Sequence, residues 1–178
     1  MKMRIARTIL LLAVVFLLGY PGTAVARKKT RGGLKFSISL DKTEYKKTDQ
    51  IYVNFTLKNE GKKPVYVNKR FHINTEDSPK EEKEVYLIVT APSGEKLTCR
   101  EKPYDTGFPK TDYFVLLKRN EEAVSERKKR LKIYFDIKEP GTYTVAAVYK
   151  NVYGKEIGVE AFQGELKSDP VTMKIIEK

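Results

Sequence analysis

Leu131-Lys132-Ile133-Tyr134-Phe135-Asp136-Ile137 alternates apolar and polar residues, Glu139-Pro140-Gly141 interrupts it, and Tyr143, Val145, Ala147 and Tyr149 then begin a second row of the same period. A period of two puts successive side chains on opposite faces of a strand, so each run buries one face and wets the other. Pro140 and Gly141 supply the turn between the two runs. After a further turn at Ser168-Asp169-Pro170, the apolar row resumes at Val171, Met173 and Ile175. The C-terminal third therefore predicts successive antiparallel strands.

The same signal recurs towards the N-terminus. Leu34, Phe36, Ile38 and Leu40 share one face, and Ile51, Val53, Phe55 and Leu57 share another, with Tyr52, Asn54, Thr56 and Lys58 opposite. Asn59-Glu60-Gly61-Lys62 reads as a hairpin turn into Pro64-Val65-Tyr66-Val67, because Asn and Gly accept positive φ. Glu84 to Thr90 is apolar on both faces and predicts a central strand; Lys96 to Arg100 and Tyr113 to Leu117 predict shorter ones. Lys118 to Lys132 is the most charged stretch and reads either as a helix or as a solvated loop. Polar His72 to Lys83, Glu101 to Lys110 and Asn151 to Lys167 read as loops. Seven or more short strands, with turn signals between them, predict an all-β antiparallel sandwich.

Residues 1–26 read as an export signal. Lys2, Arg4 and Arg7 precede the uncharged run Thr8 to Tyr20, Pro21-Gly22 ends it, and Ala24 and Ala26 place small residues before a cut at Arg27. The expected location is outside the cytoplasm: periplasmic, extracellular or on the cell surface. Arg27, Lys28, Lys29 and Arg31 follow the cut and resist translocation, which leaves retention as a membrane anchor open. Residues 27–33 then form a basic tail and residues 34–178 one domain, with no repeat or linker.

The formal net charge of +12 falls to +9 when Lys2, Arg4 and Arg7 leave with the signal. Such a surplus favours polyanions, but the basic residues are dispersed among acids, as in Lys80-Glu81-Glu82-Lys83-Glu84, and no nucleic-acid motif accompanies them. Nucleic acid is not an expected partner. The single cysteine, Cys99, precludes an internal disulfide, so the fold must rest on its core.

Gly141-Thr142-Tyr143-Thr144-Val145 resembles the start of strand F in immunoglobulin-like domains, where a tyrosine turns its hydroxyl back onto upstream backbone as a tyrosine corner. Val145 stands where antibody-type domains carry their second cysteine, and the chain has no Trp. Thr56-Leu57-Lys58-Asn59-Glu60-Gly61-Lys62-Lys63-Pro64-Val65 resembles the L-x-N-x-G-x-x-P-V hairpin of exported bacterial immunoglobulin-like modules. With Leu117-Lys118-Arg119-Asn120-Glu121, Pro140-Gly141-Thr142-Tyr143 and Ser168-Asp169-Pro170-Val171 following in order, the chain is similar to the domain preceding the catalytic part of deuterolysin-type metallopeptidases, and to the BsuPI-type proteinase inhibitors. The resemblance spans about residues 34–176 and implies an immunoglobulin-like sandwich that binds or scaffolds, with a protease among possible partners.

Catalytic machinery is not legible. One histidine, His72, cannot form H-E-x-x-H, and no G-x-S-x-G elbow holds a nucleophile. No catalytic, cofactor-binding or metal-ligating residue is assigned, and no cofactor is expected. The acids near Glu76, Asp77 and Glu81 lack calcium-loop spacing and read as a solvated loop. Tyr52 and Tyr66, on outward faces, are candidate surface contacts or cross-strand pairs. The expected function is non-enzymatic recognition of another protein, a protease or an envelope protein, through the three long loops. The alternative is an envelope polysaccharide or anionic polymer held by Lys and Tyr on a sheet face.

Overall fold

The alternating segments become strands that close on one apolar core. The computed structural model describes residues 33–79, 84–102, 105 and 107–177. The expected export signal, the cleavage residues Ala24, Ala26 and Arg27 expected with it, and the expected basic tail apart from Gly33 lie outside the described residues.

β1 (Leu34–Leu40) pairs antiparallel with β3 (Tyr52–Asn59), with Phe36 opposite Leu57 and Ile38 opposite Phe55. The far edge of β3 is shared by β7 (Glu122–Val124) and β8 (Lys129–Arg130). Where the ladder breaks between them, the Ser125 N–H donates to the Phe55 carbonyl at 2.9 Å, and the Phe55 N–H donates to Ser125 Oγ at 3.1 Å. A serine side chain thus stands in for backbone in the ladder.

The second sheet is organised around β9 (Gly141–Asn151). β5 (Val85–Thr90) lies along one edge, while β11 (Val171–Ile176) and β10 (Gly164–Lys167) share the other. β2 (Glu44–Lys46) joins the outer side of β11 in parallel. β4 (Val65–Asn68) and β6 (Phe114–Leu117) form a small antiparallel sheet of their own. The N-terminal segment thus serves both main sheets. Its crossover is fixed by Tyr45, whose hydroxyl donates to Asp41 Oδ1 at 2.7 Å and accepts the Lys42 N–H at 2.9 Å.

The inner faces of the two main sheets meet in a ring cluster. Phe36 lies 5.7 Å from Tyr149 and 6.0 Å from Phe55, and Phe71 bridges Phe55 and Tyr149 at 6.0 and 6.1 Å between centroids. Each such buried side chain contributes about 1.5–3 kcal/mol. The result is a β-sandwich.

Several local expectations are corrected. β3 and β4 do not form a hairpin pair, because Asn59 is buried and draws the turn elsewhere. Its Nδ2 donates to the carbonyls of Lys63 and Leu117, both at 2.9 Å, and its Oδ1 accepts the Gly61 N–H. The expected strand from Leu131 to Ile137 does not form: the stretch opens as one helical turn, α1 (Leu131–Tyr134), closed by the Phe135 N–H on the Leu131 carbonyl, and Phe135 to Ile137 follow outside any strand. Leu131 and Phe135, four apart, face inward under either period, but Ile133 is 41% exposed. Lys118 to Lys132, read as a helix or a solvated loop, holds the short strands β7 and β8, and only its last two residues enter α1. The Asn151 to Lys167 loop gives up its last four residues to β10. β5 pairs with a full strand only on its β9 side, and Lys96 to Arg100 contributes just an isolated bridge, Thr90 to Lys96.

Candidate functional site

The chain kinks at Phe71, whose φ of 48° is left-handed and unusual for an aromatic residue. The kink drives the Phe71 ring into the core and leaves its two neighbours converging on Glu84. Arg70 Nε donates to Glu84 Oε1 at 2.7 Å, Asn68 Nδ2 donates to the same oxygen at 2.8 Å, and the His72 N–H donates to Oε2 at 2.9 Å. Glu84 is buried, and these donors, together with the ion pair to Arg70 Nη2, offset the cost of burying its carboxylate. Burial depresses the His72 imidazole below its ordinary pKa; Arg70 adds to the depression and Glu84 partly opposes it.

Arg70 also reaches outward. Its Nη2 donates to the Gly107 carbonyl at 3.3 Å, and its guanidinium lies 5.2 Å from the Tyr113 ring centroid. Beside Gly107, Phe108 is 67% exposed and meets Tyr153 edge-to-face, 4.9 Å between centroids at 64°. Asn151 Nδ2 fixes the other loop by donating to the carbonyls of Tyr153 and Phe162, at 2.7 and 2.6 Å. Two loops read separately in the sequence thus present one aromatic tip, braced by a buried ion pair.

A cleft of about 270 Å³ opens beside the third loop. Leu87, Leu97 and Phe135 give it an apolar floor, Cys99 a wall, and Glu76, Asp77 and Glu101 an acidic rim, where Glu76 pairs with Lys96. The Cys99 thiol is half-buried, and burial raises its pKa.

The structure separates the two candidate surface tyrosines. Tyr52 is half-buried in β3, opposite Arg130, while Tyr66 sits exposed in the small sheet opposite Leu116. The Tyr143 hydroxyl donates to the Glu139 carbonyl at 3.0 Å and accepts the N–H of the same residue at 3.1 Å. Among the described residues, no three His, Cys, Asp or Glu side chains are grouped to hold a metal, and no helix is long and apolar enough to cross a membrane. Sequence reasoning missed Asn68, Arg70, Glu84 and Phe108; the sole local cue was an acid, Glu84, opening an otherwise apolar run.

No protein-family model matches the chain, and no curated protein matches it. Among solved structures, a β-glucosidase from Erythrobacter marinus superposes with a TM-score of 0.35 at 13% identity, over 80% of this chain and 15% of that one. The chain thus spans about a seventh of that enzyme's length.

Proposed function

We propose that the chain is an exported, non-enzymatic immunoglobulin-like module that recognises another protein, a protease or an envelope protein, with the aromatic tip as its anchor. The observation that carries this reading is Phe108, which is 67% exposed yet packs edge-to-face on Tyr153. A large apolar ring kept in water on a braced loop is what a binding hot spot requires: area to bury and little conformational freedom to lose. Tyr143 folded back onto Glu139, and an N-terminal segment divided between the sheets, support the immunoglobulin-like assignment.

The test is capture by the tagged protein after mild cross-linking, comparing wild type with a Phe108→Ala, Tyr153→Ala double variant. One stoichiometric exported protein, lost with the double variant but retained in high salt, is the expected result. Recovery of bulk wall polymer that high salt removes would replace this reading with polymer binding.

A further inference from the structure

The outer edge of β5 is paired at both ends and open in the middle. The Lys150 N–H donates to the Glu84 carbonyl, so in this antiparallel ladder Glu84, Tyr86 and Ile88 point their backbone groups at β9, while Val85, Leu87 and Val89 point theirs away. Val85 meets partners there: its N–H donates to the His72 carbonyl at 2.9 Å and its carbonyl accepts the Asn74 N–H at 2.9 Å. The Val89 carbonyl accepts the Leu97 N–H at 2.8 Å, and the Ala91 N–H donates to the Glu95 carbonyl at 2.8 Å. Between them, no described residue pairs with the outward N–H and C=O of Leu87.

The register of the neighbouring segment shows what is missing. Thr90 faces Lys96, so a continued ladder would set Cys99 opposite Leu87. Instead the Arg100 N–H donates to the Tyr134 carbonyl at 2.8 Å, and the segment peels away towards α1. The wedge left behind is the cleft lined by Leu87, Cys99 and Phe135. Leu87 is only 6% exposed, so its free backbone groups sit in a sheltered position where an unmade hydrogen bond is expensive.

We infer that this wedge is a strand-addition slot for an extended, basic peptide segment of a partner protein. Backbone groups of the incoming segment pair with the N–H and C=O of Leu87, and its apolar side chains rest on Leu97 and Phe135. Its lysine or arginine side chains face Asp77 and Glu101. Extended peptides commonly add to sheet edges in this way, with the main chain supplying affinity and alternate side chains supplying specificity. The occupant is basic because the rim is acidic on a chain whose overall charge is +12. The slot uses none of the residues of the aromatic tip, so the two assignments stand or fall separately.

The test titrates the purified protein against a fluorescent, acetylated Val-Lys-Val-Lys-Val peptide, against its Val-Glu-Val-Glu-Val counterpart, and against a copy N-methylated at every backbone nitrogen. The expected result is saturable binding of the lysine peptide alone, at least tenfold weaker on N-methylation and on Asp77→Lys with Glu101→Lys, both exposed positions. Binding should slow alkylation of Cys99 by iodoacetamide, and Val124→Ala, exposed on β7, should leave both readouts unchanged. Equal affinity for the N-methylated copy, binding that leaves Cys99 as reactive as before, or no binding at all overturns the inference.

Discussion

The hydroxyl of Tyr149 is clasped by a single residue, Asn68: it donates to the Asn68 carbonyl and accepts the Asn68 N–H, each at 3.1 Å. Both residues are fully buried. β4 therefore hangs from the centre of the second sheet by a side chain in place of a strand partner, and burial raises the Tyr149 hydroxyl far above its ordinary pKa, so it stays a donor. Tyr149→Phe should destabilise the fold by about 1–3 kcal/mol, because it orphans two buried backbone groups. Tyr143→Phe should cost about 0.5–1.5 kcal/mol, since exposed Glu139 can turn to water. Urea unfolding of the two variants ranks them.

Arg70 and Glu84 should show the asymmetry of buried pairs. Arg70→Ala strands the Glu84 carboxylate and should cost about 3–5 kcal/mol. Glu84→Gln keeps an acceptor for Asn68 and should cost less. Arg70→Ala should also free the 107–110 segment, which loses its link at Gly107; faster amide exchange there would show it.

Glycine substitutions separate strain from collision. Gly33 (φ +82°) and Gly94 (φ +88°) are both left-handed, but a Cβ at Gly33 would lie 2.4 Å from Gly61 Cα, whereas one at Gly94 meets nothing within 4 Å. Gly94→Ala should cost roughly 1–2 kcal/mol from backbone strain alone. Gly33→Ala should exceed it clearly, since the contact is with backbone that closes the end of the β1–β3 pair. Thermal melts of the two variants make the comparison.

His72 sets a pH dependence with a definite sign. Burial, with Arg70 adding to it, lowers its folded pKa below 6.5. Unfolding then takes up a proton, so this contribution is fully present above pH 6.5 and is lost as pH falls through the folded value. The urea midpoint should drop between pH 7 and pH 5, and His72→Gln should flatten that slope. An unchanged slope in the variant would assign the effect to other groups.

Legibility followed the range of the interactions. β1, β3, β9 and β11 announced themselves through Phe36, Phe55, Tyr143 and Met173, because a strand with one wet face writes its period locally. β5 misled for the same reason: Tyr86 and Ile88 face away from the core yet are apolar and half-buried, so both faces read as interior. Leu131 and Phe135 fit two periods at once. The site was hidden more deeply. Asn59 reads as a turn residue but works as a buried clasp on Leu117, 58 positions on, and Glu84 reads as a strand-start charge until Arg70 is brought to it. Such long-range polar pairings leave no periodic trace.

The parallel pairing of β2 with β11, closed by the Lys47 N–H on the Ile176 carbonyl and the Lys174 N–H on the Thr43 carbonyl, has a mechanical meaning. Strands that run side by side in one direction, one near each end of the domain, are loaded lengthwise when those ends are pulled apart. Their hydrogen bonds then resist tension together rather than opening one by one. Once β1, which precedes β2 and pairs with β3, is drawn off, a pull on the two ends would load this short patch in shear rather than peel it open.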